Sequence, residues 1–297
     1  MTGTRFVHDA FDQALSMHHS APQRLTREYA DQIVKEFHAY FKERADMHPR
    51  ERKMTHLATV QSSLSNLKKR LRLQGVDPEF LKHLHMSKED SSTLIQAKAQ
   101  SVVTRSIDLP TVDADAIVLD CRALLNHKDP YLRVIALACL TGRRTAELLF
   151  CASFEPPKEK HTTAERYWAS VTGFCKQRHD AVEVMVRDVP LLDSRERICA
   201  AIEGVRRELP VDNIAEVNSK YAKGIQRRMN KYMPAAIKNI HALRKFYAMT
   251  TFHYYNQRNC SLARFTSEVL GHKQLSSTVI TYLSFIVDCA KSLNFRV

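Results

Sequence analysis

The chain has 297 residues, a length that favours two domains with enough residues in each to bury a core. Only 7 residues are glycine while Leu, Ala, Lys, Arg and Glu are plentiful, so a mainly α-helical protein is expected. A formal charge of +13 points to a polyanionic partner. No run approaches about 18 apolar residues and the polar N-terminus shows no signal-peptide pattern, which argues against a membrane span and for an intracellular protein of the cytoplasm or nucleoid.

Residues 1–24 show no long amphipathic pattern and are expected to be partly loose. Thr26 reads as an N-cap, and Tyr29, Ile33, Phe37 and Phe41 then recur at helical spacing to about residue 46. A second helix places Met54, Leu57, Val60, Leu64, Leu67 and Leu71 on one stripe and ends at Gly75. Its last turns hold Lys68, Lys69, Arg70 and Arg72, which read equally as a solvated face complementing the helix dipole and as phosphate contacts. Asp77-Pro78 opens a short helix with Phe80, Leu81 and Leu84, and a further helix is expected from Ser91 to about Val103. His83 and His85, two apart, cannot share a helix face, so no metal site is expected there. Residues 1–105 thus form an all-helical module, and 106–116 read as a linker in which Pro110 and Asp113 prepare the next helix.

In the remaining part, 117–297, Asp129-Pro130 is a strong helix start, and the nearly apolar run Pro130 to Leu140 reads as a central helix delivering the chain to Gly142. The alternating segments Tyr167 to Cys175 and Val182 to Leu192 predict an antiparallel hairpin turning at His179-Asp180, with Lys176 near its tip. Asp193 with Glu196 forms a capping box for a helix Arg195 to Leu209. Asn218 is the expected cap of another helix, carrying Tyr221, Ile225, Met229 and Tyr232. Pro234 precedes the helix with His241 and Arg244, and Ser261 to Leu270 leads to His272. The seven cysteines (121, 139, 151, 175, 199, 260 and 289) are far apart and never in C-x-x-C. They are expected to be reduced and mostly buried, forming neither a disulfide framework nor a zinc site.

His241 and Arg244, at i and i+3, lie on one helix face. Leu270-Gly271-His272 looks like a helix end with Gly271 as its left-handed cap, holding an imidazole in place. Tyr282 follows ten residues later. A guanidinium fork, two imidazoles and a phenol suit attack on a phosphodiester.

The order Thr-Gly-x-Arg-x-x-Glu-Leu at 141–148, a hairpin lysine, His-x-x-Arg at 241–244, Leu-Gly-His at 270–272 and a following tyrosine resembles the tyrosine recombinase superfamily. Thr-Gly-Arg-Arg at 141–144, Thr-Gly-Phe-Cys-Lys-Gln-Arg at 172–178, Leu-Arg-Lys-Phe-Tyr-Ala at 243–248 and Tyr-Leu-Ser-Phe at 282–285 are most similar to the telomere resolvases, or protelomerases. The resemblance covers about residues 130–290. It implies a mainly α fold with a small antiparallel β-sheet, in which a helical N-terminal DNA-clamp domain precedes a tyrosine-recombinase-like catalytic domain.

What the resemblance implies for chemistry is specific. Tyr282 is the nucleophile, Arg144 and Arg244 clamp the phosphate, His241 and His272 assist, and Lys176 protonates the 5′-oxygen leaving group, with Arg178 a competitor for that role. Arg143, which also stands as understudy to Arg144, and Arg178 are expected DNA contacts, to which the charge of the chain adds Lys68, Lys69, Arg70 and Arg72 on the phosphate-contact reading of that run. The step from His272 to Tyr282 is one residue longer than is usual in the family. Tyr221, Tyr232, Tyr247, Tyr254 and Tyr255 fall where the family has core or groove tyrosines. Neither ATP nor metal is expected, since the phosphotyrosine keeps the bond energy, and no Walker motif occurs. The expected partner is double-stranded DNA carrying a palindromic site, bound by two protomers. Two alternatives stand beside hairpin resolution: an integrase exchanging strands between two sites, and a non-catalytic DNA-binding protein on a recombinase fold. Competent residues at every catalytic position weigh against the last.

Overall fold

The computed structural model describes residues 3–47, 55–106, 109–159, 161, 164–175, 185–255, 260–270 and 285–289. The chain divides into two compact units, Met1–Thr104 and Arg105–Val297.

The first unit is built on helices whose starts are written locally. The Thr26 hydroxyl accepts the Tyr29 N–H at 3.3 Å ahead of α2 (Arg27–Met47). Asp77 caps α4 (Pro78–His83) through the Glu79 N–H at 2.9 Å. Between them α3 (Thr55–Leu73) buries Leu57, Val60, Leu64, Leu67 and Leu71, the stripe expected from the 3.6-residue period. Two expectations are corrected. Residues 3–20 are a helix, α1 (Gly3–Ser20), whose Ala10, Phe11 and Ala14 are buried. Two of those three core positions are alanine, too small to stand out as an apolar stripe, and the helix is held by rings: Phe6 stacks on Tyr40 at 4.2 Å between centroids. The last helix, α5 (Lys88–Ser106), begins ahead of Ser91, because the Ser87 hydroxyl caps it by accepting the Asp90 N–H at 3.0 Å.

In the second unit the expected linker 106–116 holds regular structure instead. Residues Thr111–Asp113 form β1, which pairs in parallel with β5 (Ile286–Asp288), Val112 opposite Val287. No local pattern could reveal a three-residue strand whose partner is so distant in sequence. Asp113 then caps α6 (Ala114–Leu124) by accepting the Ala116 N–H at 2.9 Å. Next comes α7 (Pro130–Thr141), capped by Asp129, with Leu132 and all residues from Val134 to Thr141 buried, so it forms the axis of this unit. A three-stranded antiparallel sheet follows, ordered β2 (Ser153–Glu155), β3 (Trp168–Thr172) and β4 (Arg187–Pro190), with Ser170 opposite Asp188. The antiparallel pairing of β3 with β4 was legible in the sequence, while the expected turn at His179-Asp180 lies outside the described residues; β2 was not legible, having only three residues.

Two caps differ from expectation. Ser194, not Asp193, caps α8 (Arg195–Glu208), accepting the Arg197 N–H at 3.4 Å, while Asp193 pairs with the Arg197 side chain at 2.7 Å. Asn213, not Asn218, caps α9 (Ile214–Tyr232), which therefore starts earlier. The unit is completed by α10 (Ile240–Tyr255) and α11 (Leu262–Leu270). Cys121 and Cys139 are buried, whereas the other five cysteines are only half-buried, fewer in the core than expected; all seven are free thiols.

Candidate active site

The site grows from the end of α7. Gly142 terminates the helix at φ 64°, and its N–H returns to Ala138 O at 3.0 Å, a left-handed cap. A Cβ there would lie 2.2 Å from Cδ1 of Tyr247, so α10 presses its ring against bare backbone. The Tyr247 hydroxyl donates to Pro190 O at 2.5 Å and ties the same point to β4.

After this turn the chain enters a π-helical segment, Glu147–Cys151, closed by Ala152 N donating to Glu147 O at 2.8 Å. Such wide turns recur at functional sites. Arg206 of α8 supplies donors to its carbonyls: Nε to Leu148 O at 2.8 Å and Nη2 to Ala152 O at 2.7 Å. Arg144 stands just ahead of the helical segment rather than inside it. Its N–H donates to Glu147 Oε2 at 2.9 Å, and its Nη1 to Oε1 at 2.5 Å.

Glu147 is completely buried and joins distant parts of the chain. Besides Arg144 it faces Arg244 of α10, whose Nη1 is 3.6 Å from Oε2, and it accepts the Cys175 N–H at 3.3 Å. Burial pushes its carboxyl pKa upward, but Arg143, Arg244 and Arg144 together hold it below the ordinary glutamate range. Three guanidiniums against one carboxylate leave a surplus of positive charge. Arg144 retains a buried Nε with no hydrogen-bond partner among the described residues, and its side chain is 18% exposed. A phosphate suits such a centre.

Arg143, expected to contact DNA, faces inward instead. It is completely buried, with Nε donating to Thr141 O at 3.2 Å, Nη2 bonded to Val269 O, and its guanidinium 5.1 Å from the Phe174 ring centre. This belongs to a collar that sequence reasoning missed. Arg187 Nη1 reaches Glu268 O at 2.9 Å and Ser267 O at 3.4 Å, and Arg244 Nη2 reaches Leu270 O at 3.3 Å. The four last carbonyls of α11, which a helix end leaves without intrahelical donors, are thus taken by three arginines. No local signal marked Arg187 for such a task, since a charged Asp188 follows it in the same strand.

The expected residues therefore divide. Arg144 and Arg244 converge on Glu147. His241 lies in the first turn of α10, exposed, one turn before the buried Arg244. Lys176, Arg178, His272 and Tyr282 lie outside the described residues. Among the described residues nearest to His272 and Tyr282 in the chain, Leu270 accepts from Arg244, and Phe285 is completely buried with its ring 6.5 Å from that of Phe246 between centroids. Other tyrosines are engaged elsewhere. Tyr247 and Tyr255 are buried, which raises both phenols, and donate to Pro190 O and Leu191 O; Tyr221 donates to Pro210 O and Tyr254 to Asp115.

In the first unit, Arg70 lies 3.8 Å over the Phe11 ring and contacts His8 Nδ1 at 3.3 Å, so it is a packing residue at least as much as a surface charge. Lys68 is half-buried beside a cavity of about 170 Å³ lined by Ser65, His85 and Ser91, and burial, then Arg72, lowers its ammonium pKa. Lys69 and Arg72 are exposed.

A helical unit followed by a core with a small antiparallel sheet, in which two arginines meet at a buried glutamate, has the architecture of a DNA breaking-rejoining enzyme with a tyrosine-recombinase-like catalytic domain. Residues 108–285 match the family model described as the telomere resolvase ResT/TelK catalytic domain, and the chain belongs to the telomere resolvase family. Among solved structures it is similar to protelomerase TelA covalently complexed with substrate DNA (TM-score 0.68, 19% identity, 85% of this chain and 83% of that one). A TelA variant complexed with a DNA hairpin product matches at TM-score 0.66, 18% identity, over 85% of this chain and 82% of that one. Protelomerase TelK complexed with substrate DNA matches at TM-score 0.61 and 16% identity, over 97% of this chain and 61% of that one. At these identities the likeness is one of fold. No curated protein matches the sequence.

Proposed function

We propose that the chain cleaves a palindromic duplex and rejoins each end as a covalently closed hairpin. The observation that carries this reading is the junction at Glu147, where Arg144 and Arg244, remote in sequence, are held by one carboxylate. Tyr282 attacks the scissile phosphorus, the bond to the 5′-oxygen breaks, and Lys176 gives that oxygen its proton. The product is a 3′-phosphotyrosine and a free 5′-hydroxyl. Arg144 and Arg244 stabilise the charge of the five-coordinate phosphorane, assisted by His241 and His272. The arginine collar sets the end of α11, two residues before His272 in the sequence. In the second step each 5′-hydroxyl attacks the phosphotyrosine across the break on its own side, Lys176 takes back the proton, and the phenol leaves.

In this reading residues 1–105 clamp the DNA, 117–297 form the catalytic domain, and two protomers meet on the inverted repeat. Among the described residues no helix is long and apolar enough to cross a membrane. Incubation with a palindromic linear duplex, without ATP or Mg²⁺, followed by a denaturing gel, tests the proposal. Snap-back hairpins are expected from the protein and none from Tyr282→Phe. Strand exchange between two duplexes without hairpins would identify an integrase instead, and binding without any covalent adduct would end the catalytic reading.

A further inference from the structure

Two thiols meet where the β3–β4 connection leaves the sheet. Cys151 ends the π-helical segment and Cys175 follows β3, and their sulfurs lie 3.4 Å apart across 24 residues of chain. Gly173 makes the approach possible. Its backbone has φ +75°, and a Cβ there would stand 1.9 Å from Cys151 O. The Cys151 thiol donates to Gly173 O at 2.9 Å, and the Cys175 N–H donates to Glu147. Both cysteines are half-buried, within reach of a small solute. By contrast Cys121 and Cys139, which also face each other, are completely buried.

We infer that Cys151 and Cys175 form a redox-modification site, joined as a disulfide by hydrogen peroxide and reopened by a small thiol. The Cys151 thiolate attacks one peroxide oxygen, the O–O bond breaks, and the departing hydroxide takes a proton to become water. Cys175 sulfur then displaces hydroxide from the resulting sulfenic acid, and its thiol proton completes the second water. Two thiols lose two electrons in total and one peroxide gains them. The hydrogen bond from Cys175 favours the Cys151 thiolate against the opposing effect of burial, whereas that same contact and burial hold Cys175 protonated.

Closing the gap to the ~2 Å of a disulfide removes the donor from Gly173 O and draws Cys175 toward the π-helical segment. The Cys175 N–H on Glu147 must shift with it, and Lys176 is the next residue in the chain. Oxidation therefore slows cleavage. That consequence rests on the function proposed above; formation of the bond does not.

The test treats the folded full-length protein with hydrogen peroxide, then maps peptides without reduction while hairpin formation is timed in parallel. A Cys151–Cys175 cross-linked peptide is expected, with cleavage at least tenfold slower and restored by dithiothreitol. Cys151→Ser and Cys175→Ser are expected to keep their cleavage rates in peroxide. Oxidation of other cysteines with no 151–175 cross-link would overturn the site, even for a protein that cleaves no DNA. A complete cross-link in an active protein whose rate is unchanged would overturn the switch.

Discussion

At Gly142 a methyl group would occupy the space of Tyr247, on backbone that ordinary residues avoid, so the Thr-Gly step is a packing requirement as well as a turn. Glu147 makes the sharper test of the site at the residue scale. Its carboxylate is buried among three guanidiniums, and Glu147→Gln would leave Arg244 and Arg143 short of their counter-charge. Removing one member of such a buried set typically costs about 3 kcal/mol. The sign with pH follows from the depressed folded-state pKa. The stabilisation is complete above the unfolded-state value and disappears as pH falls through the lower folded-state value. Denaturant titrations should therefore show wild type ahead of Glu147→Gln by about 3 kcal/mol near pH 7, the gap closing below about pH 4. A gap constant across that range would mean that the charge of Glu147 is not what holds the arginines.

Among the elements, α11 is the one whose placement depends on side chains from elsewhere. Its final carbonyls are received by Arg187 from β4, Arg143 from the turn after α7 and Arg244 from α10. Bonds from a charged donor contribute roughly 1.5–3 kcal/mol each, and here they act on the helix end that leads to His272. Arg187→Ala should lower the hairpin-forming rate about tenfold while the affinity for the same DNA changes less than threefold, an effect on positioning rather than on binding. Parallel gel-shift and single-turnover assays decide it: equal losses in both would make Arg187 a DNA contact. The π-helical segment follows the same logic, since Arg206 serves its carbonyls.

For the molecule as a whole, the charge of +13 overstates what is free to meet DNA. In the catalytic unit Arg122, Arg143, Arg187, Arg195, Arg206 and Arg244 all spend donors on backbone carbonyls. In the helical unit Arg70 stacks on Phe11, while Lys69 and Arg72 face outward. The double variant Lys69→Ala/Arg72→Ala should weaken binding on any sequence and flatten the slope of log affinity against log salt by roughly 2, about 0.9 for each lost phosphate contact. An unchanged slope would mark the run as a solvated helix face. Arg70→Ala is expected to lower the melting temperature instead, through loss of its packing on α1.

Local terms made much of this protein legible in advance. Asp77-Pro78, Asp129-Pro130 and Asp113 announce helix starts because a carboxylate meets the first free N–H groups within two or three residues, and the stripe of α3 follows from the helical period alone. The Thr-Gly-x-Arg and His-x-x-Arg motifs carry the family for the same reason, each lying within one turn of chain. Decisions between equals were left to the tertiary structure. Which of two adjacent arginines turns inward depends on a carbonyl of α11, 126 residues away from Arg143. Likewise β1 exists only because β5 returns to it, and α1 only because Phe6 and Phe11 find rings and guanidinium to pack on. A short stretch of chain can state what it would prefer, but a strand pairing or a buried charge exists only once its distant partner has arrived.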